Sequence, residues 1–231
     1  MSYYSIFKDI FSNHFCKEAM HHSYQYVEAA QYEPVQKRLI ELINEVQGYL
    51  KNSFPFEYNF IGSCARGMIT VDPTTNTGYD FDLNIRFKNY QKYTAKQLKT
   101  TLMDAFNRFV LKYGYDYCED STRVITIKVK DHYNSKIVHS ADFCIVADLP
   151  NNRMKIVKND KKVGSYHWQV LGQYPQELFD RADYLKDHLL WDKVKKLYLQ
   201  KKNANIDPNV KSRSIYSMTI NELYANPNKI I

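Results

Sequence analysis

Cysteine is scarce and scattered in this chain. The four, Cys16, Cys64, Cys118 and Cys144, form no C-x-x-C pair in 231 residues. That excludes a small disulfide-stapled secreted scaffold, and the four read as reduced thiols of a cytoplasmic protein. Long apolar runs are also missing. None is long enough to cross a bilayer, so no membrane is expected among the partners. The opening MSYYSIFKDIF lacks the basic start and apolar stretch of an export signal. No segment has the composition of a disordered tract.

What is present is enough for a core. Hydrophobic residues make up 44% of the chain, which at 231 residues is one large domain or two small ones. Tyrosine is abundant, at 20 residues, and aromatics reach 15%. That supplies amphipathic surface without naming a ligand.

The most informative stretch is residues 61–87, IGSCARGMITVDPTTNTGYDFDLNIRF. It opens on a Gly-Ser turn and ends in an alternating strand. Side chains at i and i+2 share a face of a strand. Asp80, Asp82, Asn84 and Arg86 therefore point one way, and Phe81, Leu83, Ile85 and Phe87 point into a core. Two neighbouring carboxylates repel each other unless a cation sits between them. Magnesium suits the pair, being hard and oxygen-seeking and keeping substrate phosphates as further ligands. Gly62-Ser63 is a small turn whose backbone N–H groups can approach a phosphate closely. Asp72, in the turn-rich DPTTNTG loop, reads as a turn cap before Pro73.

The rest of the chain frames this stretch. Residues 12–32 read as a weakly patterned helix. His14, Cys16, His21 and His22 cluster there without a common zinc spacing, so a solvated helix is expected. From Pro34 a stronger helix is predicted, with Val35, Leu39, Leu42, Ile43, Val46 and Leu50 as its apolar stripe. A strand with alternating Phe56, Tyr58 and Phe60 follows. Residues 96–113 predict a second amphipathic helix, with Leu98, Leu102 and Phe106 on one face. Residues 123–129 and 137–147 alternate and read as a hairpin. The second of these strands buries Ala141, Phe143, Ile145 and Ala147 on one face and carries Asp142 on the other. An acid mid-strand among apolar neighbours is costly unless it is paired or bound to metal. Taken alone, Asp142 reads as a salt-bridged edge residue; beside Asp80 and Asp82 it is the natural third ligand.

Charge sits at the far end. Residues 153–213 hold 14 basic and 7 acidic residues, while the chain as a whole carries +7. The excess therefore lies entirely in the C-terminal third. It is either an ordinary solvated lysine surface or, next to a magnesium-type site, the footprint of a polyanionic substrate. This third is expected to be a helical subdomain. One helix from Pro175 carries Leu178, Ala182 and Leu185. A second, from about Leu189, carries Leu190, Val194, Leu197 and Tyr198. A last one carries Ile215, Met218 and Leu223.

Gly-Ser, then Asp-x-Asp, then an aspartate on a later strand resembles the DNA polymerase β-like nucleotidyltransferase superfamily, over about residues 35–148. The resemblance implies an α+β fold, a mixed-sheet polymerase β-like palm with a C-terminal helical subdomain. The division it suggests is an N-terminal segment 1–34, a catalytic core 35–148 and a basic subdomain 149–231. It further implies that Gly62 and Ser63, with the helix after them and Arg66, receive a nucleoside triphosphate. Asp80, Asp82 and Asp142 would hold two Mg2+ or Mn2+ ions, and Asp142 would help activate an acceptor hydroxyl. Gly67-Met68 replaces the family's frequent Gly-Thr, and the DPTTNT insert lengthens the gap to Asp80. The C-terminal plan is similar to the helical lobe of the branch holding oligoadenylate synthetases, cyclic-GMP-AMP synthase and bacterial cyclic-oligonucleotide synthases. By that likeness Lys202 and Ser214 contact nucleotide phosphates, with Lys201 and Ser212 as competitors. A helix-end lysine and an N-cap serine account for the same residues structurally.

Three function classes follow. The first is a metal-dependent transferase of nucleoside monophosphate to a hydroxyl, releasing pyrophosphate. The acceptor is a second nucleotide, RNA, a protein or a small molecule. The second is a catalytically silent nucleotide- or RNA-binding, antitoxin-like module, against which the intact Asp80, Asp82 and Asp142 argue. The third is a two-metal nuclease or phosphatase, which has no use for a turn that seats a leaving triphosphate.

Overall fold

The aliphatic stripe ending at Leu50 forms a helix in the computed structural model, which describes residues 22–150, 152–160, 165–172 and 176–229. This helix, α1, spans Ala29–Leu50 and so begins five residues before the proline expected to open it. The earlier start follows from Gln31, whose side-chain oxygen accepts from the Glu28 backbone N–H at 3.3 Å. Pro34 lies in the second turn, where it gives up the amide bond toward Ala30. Of the helix expected over 12–32, residues 22–28 are not helical, and residues 12–21 lie outside the described residues. Gln25–Tyr26 is a short strand, β1, paired with β3 (Thr70–Val71). His14, Cys16 and His21 of the histidine cluster lie outside the described residues.

The chain divides into two compact units. One is Gln25–Glu177; the other joins Met1–Tyr24 to Leu178–Ile231. The first contains a mixed seven-stranded sheet. Its strands are β2 (Phe56–Ile61), β4 (Tyr79–Phe87), β5 (Glu119–Asp120), β6 (Ile125–Asp131), β7 (Lys136–Asp148), β8 (Arg153–Asp160) and β9 (Ser165–Leu171). The order is β2-β4-β7-β6-β5, with β8 pairing both β7 and β9. Among the described residues, only β4 and β7 run parallel; every other pairing in this sheet is antiparallel. The predicted hairpin is β6–β7, and its ladder shifts by one residue between Val129 and Lys130.

Alternation along β4, β6 and β7 puts Phe81, Leu83, Ile85, Ile125, Ile127, Ala141, Phe143 and Ile145 on one buried face. Against it lie Leu39, Leu42, Ile43 and Val46 of α1, and Leu98, Leu102 and Phe106 of a later helix. Numbered after the short turn α2 (Gly62–Ala65), that helix is α3 (Ala95–Asn107). Each such aliphatic side chain contributes roughly 1.5–3 kcal/mol on burial. With helices covering this face, the opposite one keeps the polar set.

Two features fix how the strands meet. Gly78 sits where a side chain would collide with the Val138 carbonyl, so the backbone of the 72–78 loop lies directly on β7. The Asn76 carbonyl accepts from the Ile137 N–H at 2.9 Å, extending that contact. Asp72 caps the loop as expected: its Oδ1 accepts from the Thr74 N–H at 3.0 Å and the Thr74 hydroxyl at 2.6 Å.

The second unit is helical. It holds α4 (Gln176–Asp187), which starts at the boundary, α5 (Trp191–Ala204) and α6 (Ser212–Ala225). Its core is Leu178, Ala182, Leu185, Val194, Leu197, Tyr198, Ile215, Ile220 and Leu223.

Candidate active site

Strand register alone assembles the acidic site. β4 and β7 pair in parallel with Asp82 opposite Asp142 and Asp80 opposite Ser140. All three carboxylates therefore emerge on the polar face, in adjacent rows. Oxygen atoms of Asp80, Asp82 and Asp142 lie within 4.8 Å of one another. The three acids expected to converge do so, although 60 residues separate Asp82 from Asp142.

Neighbouring hydroxyls hold two of them. Ser140 Oγ donates to Asp80 Oδ1 at 2.8 Å, and Thr126 Oγ1 donates to Asp142 Oδ1 at 2.5 Å. Sequence reasoning missed both hydroxyls. Ser140 stood two positions before Asp142 in the same strand; Thr126 needed the hairpin register.

The electrostatics are those of an unbalanced anion cluster. Burial, then the charges of Asp142 and Asp82, push the Asp80 carboxyl up to about 7. Burial and Asp142 raise Asp82 to about 6, against the pull of Arg66. Burial also raises Asp142, which the Thr126 hydrogen bond and Lys128 offset. Lys128 is itself paired with Glu119. Three oxygen-donor carboxylates that destabilise one another's charge form a hard-ligand set, and they fit Mg2+ or Mn2+.

The Gly-Ser turn lies against this cluster. β2 delivers Ile61 opposite Asp82, and the next residue, Gly62, has φ +65°. A methyl on Gly62 would meet Asp82 Oδ2, so any side chain there is strained by the positive φ and must push the Asp82 carboxylate aside. Ser63 follows in α2, and its carbonyl accepts from the Arg66 N–H at 3.2 Å and the Met68 N–H at 2.9 Å. Gly62, Ser63 and Arg66 thus form one tight turn next to the acids.

The remaining candidates belong to the helical unit. Lys202 lies in the last turn of α5 with its ammonium over the Tyr24 ring, 3.9 Å from the centroid. Lys201, its competitor, is engaged elsewhere, in an ion pair with Glu222 at 2.6 Å. Ser214 lies exposed in the first turn of α6, and Ser212 opens that helix.

No protein-family model matches the sequence, and no curated protein matches it significantly. Solved structures do share the fold. Vibrio cholerae DncV cyclic AMP-GMP synthase, described as a prokaryotic cGAS homolog, aligns with a TM-score of 0.53 at 12% identity. The alignment covers 85% of this chain and 65% of that one. The same synthase in complex with the linear intermediate 5′ pppA(3′,5′)pG gives 0.54 at 12%, with the same coverage. Escherichia coli DncV in its 3′-deoxy GTP bound form gives 0.53 at 14%, covering 89% of this chain and 55% of that one. The chain therefore shares the fold of these DncV structures. The chain spans between 55% and 65% of the structures it matches here.

Proposed function

We propose that this chain is a metal-dependent nucleotidyltransferase. It moves a nucleoside monophosphate from a triphosphate to a hydroxyl acceptor and releases pyrophosphate. The observation that carries this reading is the convergence of Asp80, Asp82 and Asp142 within 4.8 Å, beside the Gly62-Ser63 turn. The fold-sharing structures, solved with a linear dinucleotide intermediate and with 3′-deoxy GTP, support a nucleoside triphosphate as the substrate class.

Asp80 and Asp82 would hold both of two divalent ions, Mg2+ or Mn2+, and Asp142 one of them. Ions held by these residues would supply Lewis acidity to an attacking hydroxyl and charge neutralisation to a departing pyrophosphate. The protein's own work is positional. Gly62, Ser63 and Arg66 seat the triphosphate, and Asp142 orients the acceptor hydroxyl for in-line attack on the α-phosphorus. A new P–O bond forms to the acceptor oxygen, whose proton passes to Asp142, as the bond from the α-phosphorus to the bridging oxygen breaks and pyrophosphate leaves with its electron pair. Lys202 and Ser214 are assigned to the nucleotide phosphates, with Lys201 and Ser212 as their competitors. The catalytic core is assigned to residues 35–148, with β8 and β9 extending its sheet, and the basic helical subdomain to the helices that follow Glu177. The compartment is the cytoplasm, where triphosphates are plentiful and thiols such as Cys64, Cys118 and Cys144 stay reduced. No helix among the described residues is long and apolar enough to cross a membrane.

The test is incubation with labelled ATP, GTP, CTP or UTP and Mg2+ or Mn2+. A second nucleotide, RNA, protein or small alcohol is offered as acceptor. Pyrophosphate release by the wild type but not by Asp80→Ala plus Asp82→Ala supports transfer. Release of phosphate or nucleotides from nucleic acid, without pyrophosphate, overturns it in favour of a hydrolase.

A further inference from the structure

The sheet puts a fourth polar side chain in line with the carboxylates. One row runs Asp82, Asp142, Thr126, Glu119 across β4, β7, β6 and β5, each residue the direct partner of the next. Thr126 is buried, at 7% exposure, and its hydroxyl is 2.5 Å from Asp142 Oδ1. An ionised carboxylate only accepts hydrogen bonds, and a threonine hydroxyl has a single proton. That proton is committed to Asp142. Ser121 Oγ, 3.3 Å from Thr126 Oγ1, must then be the donor to Thr126. Ser121 is tied down in turn, because its carbonyl accepts from Lys99 Nζ at 2.6 Å. Lys99 is 2% exposed and also pairs with Asp120 at 2.7 Å. The path therefore runs from a buried ammonium, through a backbone carbonyl and two hydroxyls, to one oxygen of Asp142.

We propose that Thr126 is the positioning residue of the site: it pins Asp142 through one oxygen and leaves the second for a divalent ion. A carboxylate rotates readily about its terminal bond, so an unpinned Asp142 would have to be ordered each time an ion binds. Donors behind a ligating carboxylate act in this way, and their loss typically weakens metal affinity 10–100-fold. The proposal rests on reading the three acids as a divalent-ion site.

The probe is Mn2+ alone, titrated into the full chain and followed by the electron paramagnetic resonance of the free ion. Melts in EDTA check that each variant folds. Thr126→Val, nearly isosteric, should raise the apparent Kd about tenfold or more. Thr126→Ser, which keeps the hydroxyl, should stay within about threefold of wild type. If the valine variant fails to fold, Thr126→Ala gives the same comparison. Wild-type affinity in the valine or alanine variant overturns the assignment. So does a serine variant as weak as the valine one, since the methyl group and not the hydroxyl would then matter. A wild type that binds no Mn2+ at all overturns the ion-site reading itself, which keeps the two failures apart.

Discussion

Replacing Asp82 by asparagine should make the metal-free protein more stable while removing its response to metal. The carboxyl of Asp82 is raised from 3.8 to about 6, first by burial and then by the charge of Asp142. A folded-state pKa above the unfolded value means the native state holds its proton more tightly. Stability from that proton is complete below the unfolded pKa near 3.8 and is lost as pH rises through about 6. About two pKa units correspond to about 3 kcal/mol at neutral pH, an upper figure because water and side-chain motion relieve part of the repulsion. Asparagine has nearly the same shape and no charge. Its gain should be about 1–3 kcal/mol, or roughly 2–4 °C in Tm per kcal/mol for a chain of this size. Wild type should recover stability when ions bind, by about 1.4 kcal/mol at ten times Kd. The assay is thermal unfolding by circular dichroism from pH 5 to 8, in EDTA and in Mg2+ or Mn2+. Wild type in EDTA should weaken as pH rises, and metal should reverse that. The reasoning is refuted if wild type ignores metal and Asp82→Asn melts lower, because Asp82 would then be satisfied by protein partners.

Gly62→Ala should blunt the same metal-induced shift in Tm. The new methyl meets the end of the Asp82 side chain, so the carboxylate swings aside, and the strained φ of +65° adds a cost of about 1–2 kcal/mol; an unchanged shift would separate the turn from the ions. His139 gives an acid-limb prediction on the core side. Burial, with Arg38 nearby, depresses it to about 4 from 6.5. Its contribution is complete above about pH 6.5 and lost as pH falls through about 4, a change of up to about 3 kcal/mol. Denaturant titrations of His139→Phe should show a flatter loss over that range than wild type, and identical slopes would clear His139 of the effect. Lys202→Ala should raise the KM for triphosphate roughly tenfold with kcat little changed, and an unaltered KM would remove Lys202 from the nucleotide.

The sequence made legible whatever depended on period and on unlike neighbours. Leu39, Leu42, Ile43, Val46 and Leu50 recur at helical spacing, and all five are buried in α1. Asp80, Asp82 and Asp142 stood out because carboxylates interrupt strands that otherwise alternate toward a core. The β8–β9 hairpin was harder to see. Lysines interrupt its alternation, and β8 gains its partners from the far end of β7 and from β9. Thr126 was hidden for a geometric reason. Counting back from the turn pair Asp131 and Lys136 places Asp142 opposite Ile125, whereas the observed partner is Thr126. The shift after Val129 makes the difference, and no composition signal announces it. The opening of α1 was misread because Pro34 looked like a first-turn residue, while the helix is begun by Glu28 and Gln31.

That one-residue slip in the β6–β7 ladder works as a slack link. It lets the outer end of the ribbon keep its own pairing while the inner end stays in phase with β4. A chain one residue shorter at the outer end has a way to adjust: it can straighten the slip instead of dragging Asp142 to the greasy side of the sheet. The loss of one residue at the far tip of this hairpin can thus be absorbed before it reaches the alignment of the acids.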